Sequence, residues 1–329
     1  MSERIWEDLA EMKKKLIEYV DKGRIVGHHE VREEPVIREK PDKSKIKPLK
    51  KVTECDVHFK AVDCSTRTLM RANNWGIYLF RAAHASVKGH HVDWGYEESM
   101  RTVVGDAYVR RRMLQEARLN LESEMALRLL HETKEGEYLL LDGASYFGGE
   151  RKFWASLYEE SEKRGVTLLT VSKQSPMLQD EKGRDLMAAT YILSPYPIWV
   201  YYPTERRANI HEHQYGDVSM IKLCSESPRV FRCDIMEYLA HRDVHELLSP
   251  LTFISEDPRC LGYPVTLFLA HDFSAPSDPQ LLYYHDQVEE TLAKAGLLDV
   301  LRREALSASF ADELHGVRYP FEWERIEHV

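Results

Sequence analysis

The chain has 329 residues, 43% hydrophobic and 30% charged, which fits a folded globular protein of one large or two smaller domains and excludes a disordered chain. A net charge of −9 and a pI near 5.9 argue against a protein coated in positive charge for non-specific nucleic-acid binding, although a locally basic channel is compatible with that sum. No apolar run is long enough to span a membrane, the five cysteines form no Cys-x-x-Cys pair, and the start at Met1–Asp8 lacks a signal peptide's basic and apolar regions, so the expected location is the cytoplasm.

Apolar residues at helical spacing (Ile5, Leu9, Met12, Leu16, Val20) predict a helix over 3–22, closed by Gly23. Residues 28–52 are charged and hold Pro35, Pro41 and Pro48, which reads as an extended arm. The expected division is therefore a helix and charged arm over 1–52 and a main domain over 53–329. In that domain Val57–Asp63 reads as a strand and Trp75–Val87 as its antiparallel neighbour. Residues 106–132 give the longest helical pattern, with Leu114, Leu121, Met125 and Leu129 on one stripe. Strands follow at Tyr138–Asp142 and Val166–Val171, with a helix over 150–164 between them. The remainder mixes strands (197–202, 218–224, 229–234) with helices (236–248, 279–306). This order predicts an α/β fold, a mixed sheet flanked by helices.

Two apolar runs end on an aspartate followed by small polar residues: Ala61-Val62-Asp63-Cys64-Ser65 and Leu139-Leu140-Leu141-Asp142-Gly143. An aspartate after a strand is often only a turn residue. Two such strands side by side would instead bring two carboxylates together, and like charges at close range call for a cation between them. Hard divalent ions favour oxygen ligands, so the pair points to Mg²⁺ or Mn²⁺ chemistry on phosphate. The long helix offers Glu122 and Glu124 as a third carboxylate; each also has an arginine one turn away, Arg118 and Arg128, as a surface partner. Tyr263 enters and His271 leaves the apolar segment Gly262–Asp272. Basic clusters occur at Lys43–Lys51, Arg110-Arg111-Arg112 and Arg206-Arg207, where solvated faces and contacts to DNA phosphate are both open readings. His241 and His245 suggest a zinc pair or an exposed helix face, and His211-Glu212-His213 reads as loop. There is no Gly-x-x-x-x-Gly-Lys-Ser/Thr loop and no Gly-x-Ser-x-Gly elbow.

In their order, Ala61-Val62-Asp63-Cys64-Ser65, Leu139–Gly143, Val171-Ser172-Lys173 and Gly262-Tyr263-Pro264 through Ala270-His271 resemble the NurA family of archaeal and bacterial DNA nucleases, across residues 57–275. The resemblance implies a ribonuclease H-like core. It also implies a Mn²⁺-dependent nuclease (Mg²⁺ being the alternative) with a two-metal site, acting as a 5′–3′ exonuclease and single-strand endonuclease in DNA end resection. The implied partners are DNA, a second copy of the chain, and a HerA-type hexameric ATPase. Carried over by position, Asp63, Glu124, Asp142, Tyr263 and His271 are the implied catalytic residues. Asp63, Glu124, Asp142 and His271 are the implied metal ligands, and Glu124 fits the family pattern better than Glu122. Lys173, Arg110, Arg111, Arg206 and Arg207 are the candidate DNA contacts. Cys64 departs from the glycine typical of the family after its first aspartate, which puts the expected turn there in question. Two rival readings are a non-catalytic DNA-binding or scaffold subunit and a metal-dependent phosphoesterase acting on small molecules.

Overall fold

The computed structural model describes residues 3–22, 36–149, 152–175, 178–206 and 213–314. Helix α1 (Glu3–Lys22) opens the chain, and two short strands follow, β1 (Ile37–Arg38) and β2 (Ile46–Pro48). Three 14-residue strands then run as a meander: β3 (His58–Arg71), β4 (Trp75–Lys88) and β5 (His91–Val104). Helix α2 (Ala107–His131) leads to β6 (Tyr138–Asp142), and α3 (Ala155–Arg164) leads to β7 (Thr167–Ser172). Next come β8 (Leu178–Gln179), α4 (Leu186–Leu193), β9 (Trp199–Glu205), β10 (Gly216–Lys222) and β11 (Phe231–Met236). The described part ends with α5 (Val244–Leu248), α6 (Val265–Ser274), α7 (Asp278–Lys294) and α8 (Leu298–Leu314).

Nine strands form one sheet in the order β2-β9-β10-β11-β7-β6-β3-β4-β5. The meander is antiparallel, whereas β6 and β7 join parallel to β3, each after a helix. Three antiparallel strands followed by two helix-connected parallel strands, with the first strand central, is the ribonuclease H-like arrangement. The mixed sheet with flanking helices is thus as the sequence pattern predicts. Strands β6 and β7 lie in the middle of the sheet, covered on both faces, which is why Tyr138–Leu141 and Thr167–Ser172 are buried without alternation.

Several boundaries differ from those read in the sequence. Strand β3 runs eight residues past Asp63, because its continuation pairs with β4 out to Arg71. Cys64 therefore sits opposite Ala82 inside a strand, and no turn requires glycine there. The segment before α2 holds β5, whose first half is exposed yet alternates Val92, Trp94 and Tyr96 with polar residues and glycine, a strand pattern the sequence reading passed over. The 279–306 pattern divides at Gly296, whose φ of 71° ends α7 before α8 starts. Within 236–248, only Val244–Leu248 is α-helical, after a short 3₁₀ turn at Glu237–Leu239. The described part of the charged arm adds β2 to the sheet edge beside β9.

Helix α1 buries Ile5, Leu9, Met12 and Leu16 against Leu69, Met100, Leu281 and Val288, a second core beside the main one. Each such side chain contributes roughly 1.5–3 kcal/mol of transfer free energy. The helix also covers part of a sheet edge. Asp8 Oδ2 accepts from the Met100 backbone N–H at 2.5 Å, and Lys15 Nζ donates to the Thr102 carbonyl at 3.3 Å.

Candidate active site

Side chains alternate across a strand, so the two faces of β3 can be assigned from its bonds. Lys60 Nζ donates to the Glu132 carbonyl at 2.9 Å, at the end of α2, which places α2 over the even-numbered face. Ser65 Oγ donates to the Ser274 carbonyl at the end of α6, which places α6 over the odd-numbered face. The parallel register pairs Val62 with Leu141, so Asp63 and Asp142 follow as neighbours on the odd face. Strand β6 stops there, at Gly143 with φ of 129°, while β3 runs on. Beyond Asp63, β3 has no neighbour on that flank among the described residues, and side chains from both faces converge in the notch.

From α6, His271 Nδ1 donates to Asp63 Oδ2 at 2.5 Å, and Tyr263, just before the helix, donates its hydroxyl to Asp142 Oδ1 at 3.4 Å. Lys173, one residue past β7, places its ammonium 2.8 Å from Asp142 Oδ2. From α2, Arg118 lies 3.9 Å from Asp63 Oδ1 and 3.5 Å from Glu122 Oε2. Glu122 is completely buried, and neither of its carboxylate oxygens has a hydrogen-bond partner. Such a group is costly to leave unsatisfied, on the order of 1–3 kcal/mol or more for a charged one.

These groups hold one another's protonation. Burial alone would push the Asp63 carboxyl up, but the His271 hydrogen bond and the charges of Lys173 and Arg118 outweigh it and hold the group well below the usual carboxylate range. Burial drives the Glu122 carboxyl far up; Arg118 opposes this, while Asp63 and Asp142 add to it. Burial would lower Lys173, yet Asp142 and Asp63 raise it overall. Burial and the nearby aspartates push the Tyr263 hydroxyl well up, so it stays a donor at neutral pH.

Asp63, Asp142, Tyr263, His271 and Lys173, all singled out in the sequence, therefore meet in one place. Glu124 does not join them. It is at the surface, 3.5 Å from Arg128 and 3.9 Å from Arg4, and the glutamate facing the aspartates is Glu122. Arg110 also departs from expectation: its guanidinium is buried and donates to the Asn73 and Gly105 carbonyls, so it fixes the start of α2 and cannot meet DNA. Arg111 is exposed about two helical turns before Arg118. Arg206 pairs with Asp217 at 2.9 Å, and Arg207 lies outside the described residues, as do His211 and Glu212. His241 precedes α5, so it shares no helix face with His245. Arg118 and Glu122, for which the sequence leaves a surface pair open, form a largely buried pair instead. The signal against a surface pair was the window Leu119-Asn120-Leu121-Glu122-Ser123-Glu124-Met125-Ala126, whose buried members lie on more than one stripe.

Among the described residues, no three His, Cys, Asp or Glu side chains are gathered closely enough to grip an ion as they stand. The carboxylates are instead held by the cations Lys173 and Arg118. The donor set nevertheless fits a hard divalent cation: three carboxylates, one of them with both oxygens orphaned.

No family model matches the chain, and no curated protein matches it. Solved structures do match. The NurA nuclease from Sulfolobus solfataricus superposes with a TM-score of 0.54 at 18% identity, over 89% of this chain and 98% of that one. The chain therefore has a NurA-like fold. A NurA bound to dAMP and manganese aligns at a TM-score of 0.48 and 8% identity, over 83% of this chain and 92% of that one. A Ciona intestinalis endonuclease V in complex with DNA aligns at 0.41 and 13%, over 82% and 96%.

Proposed function

We propose that this chain is a divalent-metal-dependent nuclease that hydrolyses phosphodiester bonds in DNA. Glu122 carries the reading. A fully buried carboxylate without a hydrogen bond, beside two aspartates on adjacent strand positions, has the character of a ligand awaiting a cation. Asp63, Asp142 and Glu122 would hold Mn²⁺, or Mg²⁺, at one or two positions, with His271 at the rim. When bound, the metal would supply the charge that activates water and stabilises the leaving oxygen. Lys173 is positioned to donate to a phosphate oxygen. Tyr263 keeps a hydroxyl donor aimed at Asp142. His271, 43% exposed, presents Nε2 as a group able to pass a proton while Nδ1 orients on Asp63.

The resemblance in sequence extends this reading to 5′–3′ exonuclease and single-strand endonuclease action in end resection. It also extends it to a homodimer that works beside a HerA-type hexameric ATPase. The absence of a P-loop in the chain supports a separate motor. No described helix is long and apolar enough to cross a membrane.

The test is digestion of end-labelled single- and double-stranded DNA with Mn²⁺, Mg²⁺ or EDTA, using the wild type and Asp63→Asn. Metal-dependent cleavage lost in the variant is expected. DNA binding without cleavage would favour the scaffold reading. Cleavage of a small phosphodiester alone would favour a phosphoesterase.

A further inference from the structure

On the face of the sheet that carries Asp63, the register runs Asp63–Ala83–Tyr96 across β3, β4 and β5, and Ala61–Ala85–Trp94 one step along. Small alanines lie between the carboxylate and two large aromatic rings on the edge strand. Helix α6 crosses this alanine floor, bringing His271 to Asp63 and Phe273, two residues later, to Trp94. Trp94 is 49% exposed and Tyr96 41%. The result is a row of four planar groups: Phe273, Trp94, Tyr96 and the Arg81 guanidinium. Their successive centre separations are 4.3, 6.3 and 4.2 Å. The outer steps are closed stacks. The middle step, between rings inclined by only 13°, has its centroids at the ordinary spacing of two same-face residues on a strand, a little under the ~6.8 Å that an inserted base needs, so the rings must part slightly to admit one. Tyr96 also lines a cavity of about 650 Å³ together with Arg4, Glu97, Glu98, Tyr283 and Tyr284.

We propose that the Trp94–Tyr96 step is a stacking slot for an unpaired nucleobase, which holds a single strand beside the carboxylate site. The proposal rests on the nuclease reading and adds to it the residues that hold the bases of a single strand. Paired bases are already stacked in a duplex and cannot enter, so the slot selects unpaired ends. Nearby charge offers phosphate little: Glu98 is neutralised by Arg81 at 2.6 Å, Glu97 by Arg128 at 2.8 Å, and Asp93 is exposed. Binding through the slot should therefore depend on bases and only weakly on salt.

The experiment is fluorescence anisotropy in EDTA, so that no strand is cut, with a single strand, an abasic strand of equal length and a blunt duplex. Trp94→Ala and Tyr96→Ala are compared with the wild type and with Trp94→Phe, after thermal melts show that each variant is folded. Each alanine should weaken the single strand by roughly ten-fold, with Trp94→Phe near wild type and the abasic strand and duplex unchanged. Unchanged single-strand affinity, or equal loss for the abasic strand, overturns the slot. Conversion of a dimer to a monomer by Trp94→Ala, seen by light scattering, also overturns it and makes the stripe an interface between copies. Base-dependent binding by a wild type that never cleaves DNA would sink the nuclease reading and leave the slot standing.

Discussion

Glu122 and Glu124 stand two residues apart on α2 and face opposite ways. Glu122 is fully buried 3.5 Å from Arg118, and Glu124 is at the surface 3.5 Å from Arg128. Two residues turn a helix by about 200°, so only one of the pair can reach the aspartates. Glu122→Gln is expected to cut metal-dependent cleavage by at least ~100-fold, since even groups behind a metal ligand are worth 10–100-fold. Glu124→Gln should stay near wild type. Because burial already favours the neutral acid at Glu122, the amide should change stability of the metal-free protein by only about 1 kcal/mol. Single-turnover cleavage and thermal melts read the two effects, and equal defects in both variants would refute the assignment.

Asp63→Asn and Asp142→Asn should each abolish cleavage with the fold intact, as judged by circular dichroism. Ca²⁺ should support less activity than Mn²⁺, because it takes more ligands at longer distances. Wild-type-like cleavage by either variant would contradict the first expectation, and undiminished digestion in EDTA the metal dependence behind the second.

Lys173 competes with any cation for Asp142, at 2.8 Å. Lys173→Met removes that charge, so Mn²⁺ should bind more tightly by calorimetry while cleavage slows through loss of a phosphate contact. Weaker Mn²⁺ binding in this variant would show that the lysine organises the carboxylates rather than rivals the metal.

Gly262 holds φ at 87°, and a Cβ there would lie 2.4 Å from Ser227 Oγ. It directly precedes Tyr263, and its N–H donates to the Ser255 carbonyl. Gly262→Ala should cost roughly 1–3 kcal/mol in stability, since an L side chain is strained at that φ. The displaced Tyr263 should also lower cleavage beyond what the loss of folded protein explains. A chemical-denaturation curve like the wild type's would remove the argument.

The parts of this architecture that carry local signals were readable in the sequence. The apolar runs ending at Asp63 and Asp142 became adjacent parallel strands, and the stripe Ile5–Leu9–Met12–Leu16 became a buried helix face. What escaped did so for different reasons. The first half of β5 carried a period-two signal, Val92, Trp94 and Tyr96 alternating with Asp93, Gly95 and Glu97, that the sequence reading passed over. Val265–Ser274 is a helix, but its uniform hydrophobicity fits a buried strand equally well. The choice between Glu122 and Glu124 turned on tertiary packing, because α2 is buried on more than one side and its stripe does not single out a face.

The bonds from α1 to the outer side of β5 have a consequence for handling the protein. An open strand edge is a template on which another chain can add, and Asp8 and Lys15 occupy the Met100 and Thr102 positions of that template. A shortened chain that begins after Lys22 would bare this stretch together with the apolar surface beneath Ile5 and Leu9. Helix α1 thus works as a guard against fibre-like self-association as well as a piece of core, and trimming it for solubility would do the reverse.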